Sequence, residues 1–167
     1  CQSTFASRVV VTNEPELLGT AGTLRANWSF FQGRPGMVLH GDNYFDEELP
    51  GLLEIFDKRD EGIVASMLVF ESHNPSECGI VEINELNQVI AFHEKVPNPP
   101  CRTASAATFI FSPTVGDVVA KLVSRTPDIS KDLIPLLLGR INVQHSVNPV
   151  IDIGTPRGLV AARNASV

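Results

Sequence analysis

Cysteine is scarce in this chain of 167 residues: only Cys1, Cys78 and Cys101 occur. An odd number with no CxxC pair and no Cys/His cluster supports neither a disulfide scaffold nor a structural zinc site. Positive charge is also short, with 13 Lys and Arg against 19 Asp and Glu and a formal net charge of −6. That balance gives no broad attraction to phosphate backbones, so nonspecific nucleic-acid binding is disfavoured. Long apolar runs are lacking as well. The longest, such as Ile63 to Phe70, fall far below the ~20 residues of a membrane-spanning helix, and no membrane partner is expected. No basic segment leading into an apolar stretch opens the chain, which makes a reducing cytoplasm the expected location. Neither GxxxxGK[ST] nor GxGxxG is present, no serine sits in a GxSxG turn, and His40, His73, His93 and His145 show no metal-ligand spacing. The first residue is Cys1 and the first methionine Met37, so a processed, partial or truncated product is expected.

What is present is 43% apolar residues, enough for the core of one domain over 1–167. Their arrangement alternates β-branched runs with stretches of helical period, the pattern of an α/β fold. Strands are expected at Arg8 to Thr12, Gly36 to His40, Ile63 to Phe70, Ala106 to Phe111, Ile141 to Val147 and Val150 to Ile153. Ile80 to Ile83 and Val89 to His93 flank the polar stretch 84–88 and predict a hairpin. Helices are expected from Ala21 to Phe31, from Glu47 to Arg59 with Leu49, Leu52, Leu53 and Phe56 on one face, after the Ser112-Pro113 start, from Ser130 to Gly139, and from Pro156.

Two acids stand where an α/β sheet places its ligands, beyond the carboxyl ends of strands. Asp42 follows the run Val38-Leu39-His40-Gly41, and Asp152 opens Asp152-Ile153-Gly154-Thr155-Pro156. Such a pair suits Mg²⁺, which takes one or two protein carboxylates and completes its shell with phosphate oxygens and water. A bland alternative makes each Asp a turn cap. The small-residue loop Leu18-Gly19-Thr20-Ala21-Gly22-Thr23 leads into a helix and would offer backbone N–H groups to a nucleotide, or would simply cap that helix. Glu94-Lys95 pairs an acceptor for hydroxyls with a cation for phosphate.

Taken in order, 17–24 (LLGTAGTL), 38–43 (VLHGDN), 78–82 (CGIVE), 92–95 (FHEK), 106–113 (AATFIFSP) and 152–156 (DIGTP) resemble the sugar-1-phosphate nucleotidylyltransferases, most nearly the bacterial mannose- or heptose-1-phosphate guanylyltransferases. The resemblance implies a Rossmann-like three-layer nucleotide-diphospho-sugar transferase fold, with a mixed, mostly parallel sheet and a β-hairpin. It implies NTP and sugar 1-phosphate as substrates, NDP-sugar and pyrophosphate as products, and Mg²⁺ as cofactor. Carried over, Asp42 and Asp152 would hold the Mg²⁺, Lys95 would contact the sugar phosphate, and Glu94 would accept from sugar hydroxyls. Gly79 would present its backbone to the sugar, and Gly19, Thr20 and Gly22 would lie against the base. Glucose-1-phosphate thymidylyl- and uridylyltransferases share most of these motifs, so base and sugar stay open.

Two departures bear on activity. Ser105-Ala106-Ala107 stands where the family usually has Asn-Ala-Gly or Asn-Ala-Ala, shortening one amide contact to a hydroxyl. The family's opening strand, its GxGTRLxPLT loop and the following KPLxP precede anything matched in these 167 residues. The fold is therefore expected to be incomplete at its N-terminal side, the chain alone to be slow or inactive, and a second chain, in a homodimer, to complete the sheet. The competing expectation is an inactive remnant that binds sugar phosphate or nucleotide, or serves as an assembly module.

Overall fold

The computed structural model describes residues 9–45, 49–148 and 150–165. At its centre β3 (Ala65–Glu71) and β6 (Thr103–Phe111) run antiparallel, from Ala65 opposite Phe111 to Glu71 opposite Thr103. β7 (Ile141–His145) pairs in parallel with the outer side of β3. The other side of β6 is shared. β1 (Gly36–Leu39) pairs along Thr108 to Phe111, and β4 (Gly79–Ile83) meets Ala104 and continues into the hairpin with β5 (Val89–Glu94). These pairings set β1, β3, β4 and β7 in one direction and β5 and β6 in the other. The sheet is thus mixed and mostly parallel by direction, although β3–β7 is the one parallel pair among the described strands because β6 is inserted between the others.

Side chains alternate across the sheet as a period of two demands. Ala65, Met67 and Val69, with Phe109, Phe111, Ile141 and Val143, face one layer, made by α1 (Thr20–Asn27), α3 (Val115–Ala120) and the segment 129–137. Leu68, Ala106 and Ile110 face the other, where α2 (Pro50–Asp57) buries Leu52 and Phe56. Three layers result. Phe109 and Phe111 stack with centroids 5.5 Å apart and are fully buried; burial of each ring is worth about 1.5–3 kcal/mol.

Several expected elements differ. Val9, Val10 and Val11 form no strand and are 62%, 70% and 79% exposed, because no described strand lies beside them; Arg8 and Glu47 lie outside the described residues. Leu53 turns outward, 46% exposed, so the apolar face of α2 is narrower than its spacing suggested. Ser130 is not a cap. Asp128 accepts from the N–H groups of Ser130 and Lys131 instead. Pro135, which lacks an N–H, divides the expected helix into a π turn, Ile129–Leu133, and a 3₁₀ turn, Ile134–Leu137. The third helix starts at Val115 rather than at Pro113, Ser112 pairing its hydroxyl with that of Thr114 at 2.7 Å. The last strand, β8 (Ile151–Asp152), leaves the main sheet and pairs only with β2 (Asn43–Tyr44). α4 (Pro156–Ala165) follows it.

Candidate active site

The β2–β8 ladder is what brings the two acids together. Asn43 lies opposite Asp152 and Tyr44 opposite Ile151, while the N–H of Ile153 donates to the carbonyl of Asp42 at 2.7 Å. Asn43 in turn donates from Nδ2 to the carbonyl of Ala106 at 2.9 Å, which fastens the turn after β1 to β6. The carboxylates then converge on one point. A Cβ built on Gly154 would lie 3.0 Å from Asp152 Oδ1 and 3.5 Å from Asp42 Oδ2. Asp152 Oδ1 also accepts from the N–H of Gly154 at 2.8 Å, which fixes its direction. Both acids are exposed, so neither carries the desolvation cost of a buried charge.

They stand on the wall of a cleft of about 640 Å³ that Gly79, Glu94, Lys95 and Ser105 also line, a size suited to a small-molecule ligand. Gly79 and Glu94 are cross-strand partners in the hairpin. A Cβ on Gly79 would fall 2.5 Å from the ring of Phe92 and 3.0 Å from Glu94 Oε2, so any side chain there would displace the ring and press on the carboxylate. Lys95 reverses the chain with φ +49, its N–H donating to the carbonyl of Cys78 at 3.1 Å, and its Nζ stands 4.0 Å from Glu94 Oε1. Ser105 turns its hydroxyl back to accept from the N–H of Ala107 at 3.1 Å, and Ala107 holds φ +48. That left-handed conformation is one that glycine adopts freely and alanine only at a cost.

Gly19, Thr20 and Gly22 lie apart from the cleft lining. The N–H groups of Ala21 and Gly22 donate to the carbonyl of Pro127 at 3.0 and 3.2 Å. Thr20 Oγ1 donates to Asp128 Oδ2 at 2.9 Å and accepts from the N–H of Ile129 at 2.8 Å. The loop's polar groups are thus engaged in joining α1 to the turn at 127–129. Asp128 and Ser130 do line the cleft, as do His40, Cys78, Thr155 and Arg157. None of these was given a role from the sequence, because it is the fold and not a local pattern that brings them to one cleft; for Arg157 the only signal was its place directly after the 152–156 motif.

The profile of the Nucleotidyl transferase family matches residues 2–166. The chain belongs to that family. The low-salt glycan biosynthesis nucleotidyltransferase of Haloferax volcanii is 32% identical over 93 residues, which are 55% of this chain and 26% of that protein. The glucose-1-phosphate adenylyltransferase of Bacillus cytotoxicus is 28% identical over 127 residues, 72% of this chain and 34% of the relative. The chain thus spans about a quarter to a third of the length of these curated relatives. Among solved structures, the UTP-bound UGPase of Acinetobacter baumannii superposes with a TM-score of 0.80 at 15% identity, covering 95% of this chain and 59% of that one. A Bacillus anthracis protein assigned as a glucose-1-phosphate thymidylyltransferase, in complex with a sucrose, gives 0.80 at 20% identity, with 92% and 63% covered. At these identities the superpositions establish the shared fold. Nucleotidyl transfer is the family's chemistry, and among the described residues no helix is long and apolar enough to cross a membrane.

Proposed function

We propose that this chain takes part in nucleotidyl transfer from an NTP to a sugar 1-phosphate, giving NDP-sugar and pyrophosphate. The observation that carries the reading is the convergence of Asp42 and Asp152 on one point of a cleft that also holds Gly79, Glu94 and Lys95. The donor set fits Mg²⁺ and not a closed protein cage: it is two carboxylates, and no group of three or more His, Cys, Asp or Glu that could hold a metal occurs among the described residues. Asp42 and Asp152 would hold that ion, which when bound neutralises phosphate charge between the two substrates.

The chain's own groups do the rest by placement. Glu94, held over Gly79, accepts from sugar hydroxyls, and the missing side chain at Gly79 leaves room for Phe92 and for that carboxylate. Lys95 offers its ammonium to the sugar phosphate. An oxygen of that phosphate attacks the α-phosphorus of the NTP, the bond to the β-phosphate oxygen breaks, and pyrophosphate leaves. No protein nucleophile or proton transfer is needed, so positioning and charge neutralisation suffice. The names of relatives that act on glucose 1-phosphate or bind UTP support these substrates. A second copy completing the sheet at β1 belongs to the same proposal.

A second reading, a sugar-phosphate-binding or assembly module without turnover, is favoured by one observation among the described residues: six acidic residues line the cleft against two cations, Lys95 and Arg157, which is little positive charge for a triphosphate. The test is calorimetric titration of the full chain with glucose and mannose 1-phosphates in Mg²⁺, followed by pyrophosphate release with the common NTPs. Binding that Asp152→Asn weakens, with turnover below about one per second, is the expected result. Absence of sugar-phosphate binding would overturn the proposal, and faster turnover abolished by Asp42→Ala would overturn the module reading.

A further inference from the structure

We propose that Arg157 is a second phosphate anchor of the cleft, acting on the phosphate beside the Asp42 and Asp152 pair; this rests on the reading of the cleft as a sugar-phosphate site. Three observations carry it. First, Arg157 lines the cleft together with Asp152 and Thr155. Second, its backbone is seated on that of Asp152. Its neighbour Gly158 approaches so closely that a Cβ there would collide with the carbonyl oxygen of Asp152, and the N–H of Gly158 donates to Thr155 Oγ1 at 3.1 Å. The first turn of α4 is therefore packed against the backbone of Asp152, and Arg157 leaves the helix beside that residue.

Third, the charge in the cleft is lopsided and the guanidinium is uncommitted. Six carboxylates line the walls, from Asp42, Glu71, Glu77, Glu94, Asp128 and Asp152, against the two cations Lys95 and Arg157. Lys95 stands beside Glu94, whereas Arg157 forms no ion pair with any described residue. An arginine without a carboxylate partner in so acidic a cleft has donors left for an incoming anion. Its planar fork matches two oxygens of one phosphate, and it stays charged at any working pH. Lys95 and Arg157 leave from different elements, the end of β5 and α4, so a phosphorylated ligand would be gripped from two directions.

The test titrates the full chain calorimetrically in Mg²⁺ with glucose 1-phosphate, mannose 1-phosphate, inorganic phosphate and free glucose. Arg157→Ala should weaken the phosphorylated ligands and inorganic phosphate in parallel, by about tenfold or more, as expected for loss of charge-assisted hydrogen bonds. Glucose should be unaffected. Arg157→Lys should regain only part of the loss, because a point charge replaces the fork. If the wild-type chain binds sugar phosphate and Arg157→Ala stays within about twofold of it, Arg157 is no anchor while the cleft reading stands. If the wild-type chain binds no sugar phosphate, both fail together. Should Arg157→Ala lose its circular dichroism spectrum, Arg157→Lys decides: affinity equal to wild type overturns the proposal, and a clear loss supports it.

Discussion

The N–H of Ile153 donates to the carbonyl of Asp42 at 2.7 Å, closing the short ladder in which Asn43 faces Asp152. The backbones of two acids from distant parts of the chain are thereby held beside each other by hydrogen bonds. Preorganisation of this kind lowers the ordering cost of binding.

Substituting either acid with asparagine should therefore weaken metal affinity without unfolding the chain. In Asp152→Asn the amide oxygen can still accept the 2.8 Å bond from the N–H of Gly154, and both positions are exposed. Asp42→Asn and Asp152→Asn are each expected to weaken Mn²⁺ binding, followed by electron paramagnetic resonance with glucose 1-phosphate present, by at least about tenfold. Melting temperatures should change little. A variant that keeps wild-type affinity would remove its acid from the metal site.

Thr20 yields a prediction that separates a packing role from contact with a nucleotide base. Its hydroxyl joins Asp128 Oδ2 and the N–H of Ile129, both part-buried. Thr20→Val keeps the shape and leaves those two groups without a partner, a cost of about 1–3 kcal/mol. Urea denaturation should show that loss, with nucleotide affinity of the remaining folded protein unchanged. Unchanged stability with weakened nucleotide binding would instead place Thr20 against the base.

How far the chain could be read from its sequence divides along the range of the interactions. The hairpin and the central strands were legible because period-two alternation and flanking turn residues are local signals: Val81 and Val89 are buried, while Asn84 collects the turn. Asp42 and Asp152 were legible as candidates through their motifs. Their proximity was implied by the family resemblance and by no local pattern, since it depends on β8 leaving the main sheet for β2. Pro135 explains the broken helix after the fact, but its apolar neighbours Ile134, Leu136 and Leu137 masked it. Three consecutive valines at Val9 to Val11 show the limit of propensity: without a neighbouring strand, β-branched residues do not make a ladder.

Ala107 tests the strain at the cleft wall. With φ +48 it holds a left-handed backbone that costs a non-glycine residue roughly 1–2 kcal/mol. Ala107→Gly relieves that strain but loosens the unfolded chain, so stability should change by less than about 1 kcal/mol or rise. Ala107→Val should lose about 2 kcal/mol or more, because β-branched side chains tolerate this region least. The comparison is made by urea denaturation of both variants. A valine variant as stable as wild type would show that the backbone at 107 is not left-handed in solution.

The open side of β1 supports the last prediction. β1 pairs with β6 along one edge, and no described strand covers the other, where Leu39 is 46% exposed at the strand end. Val9, Val10 and Val11 lie outside any helix or strand and are exposed. An uncovered edge offers a row of N–H and C=O groups to another chain, and exposed valines supply the apolar contact that makes such pairing stable. A dimer at micromolar concentration is the expected state, measured by size-exclusion chromatography with light scattering. A charge on the edge opposes strand addition, so Leu39→Lys should shift the equilibrium toward monomer by about tenfold or more, while its circular dichroism spectrum stays that of the wild-type chain. A wild-type chain that elutes as a monomer would show that the edge of β1 is not used for self-association, and a dimer unaffected by Leu39→Lys would place the interface elsewhere.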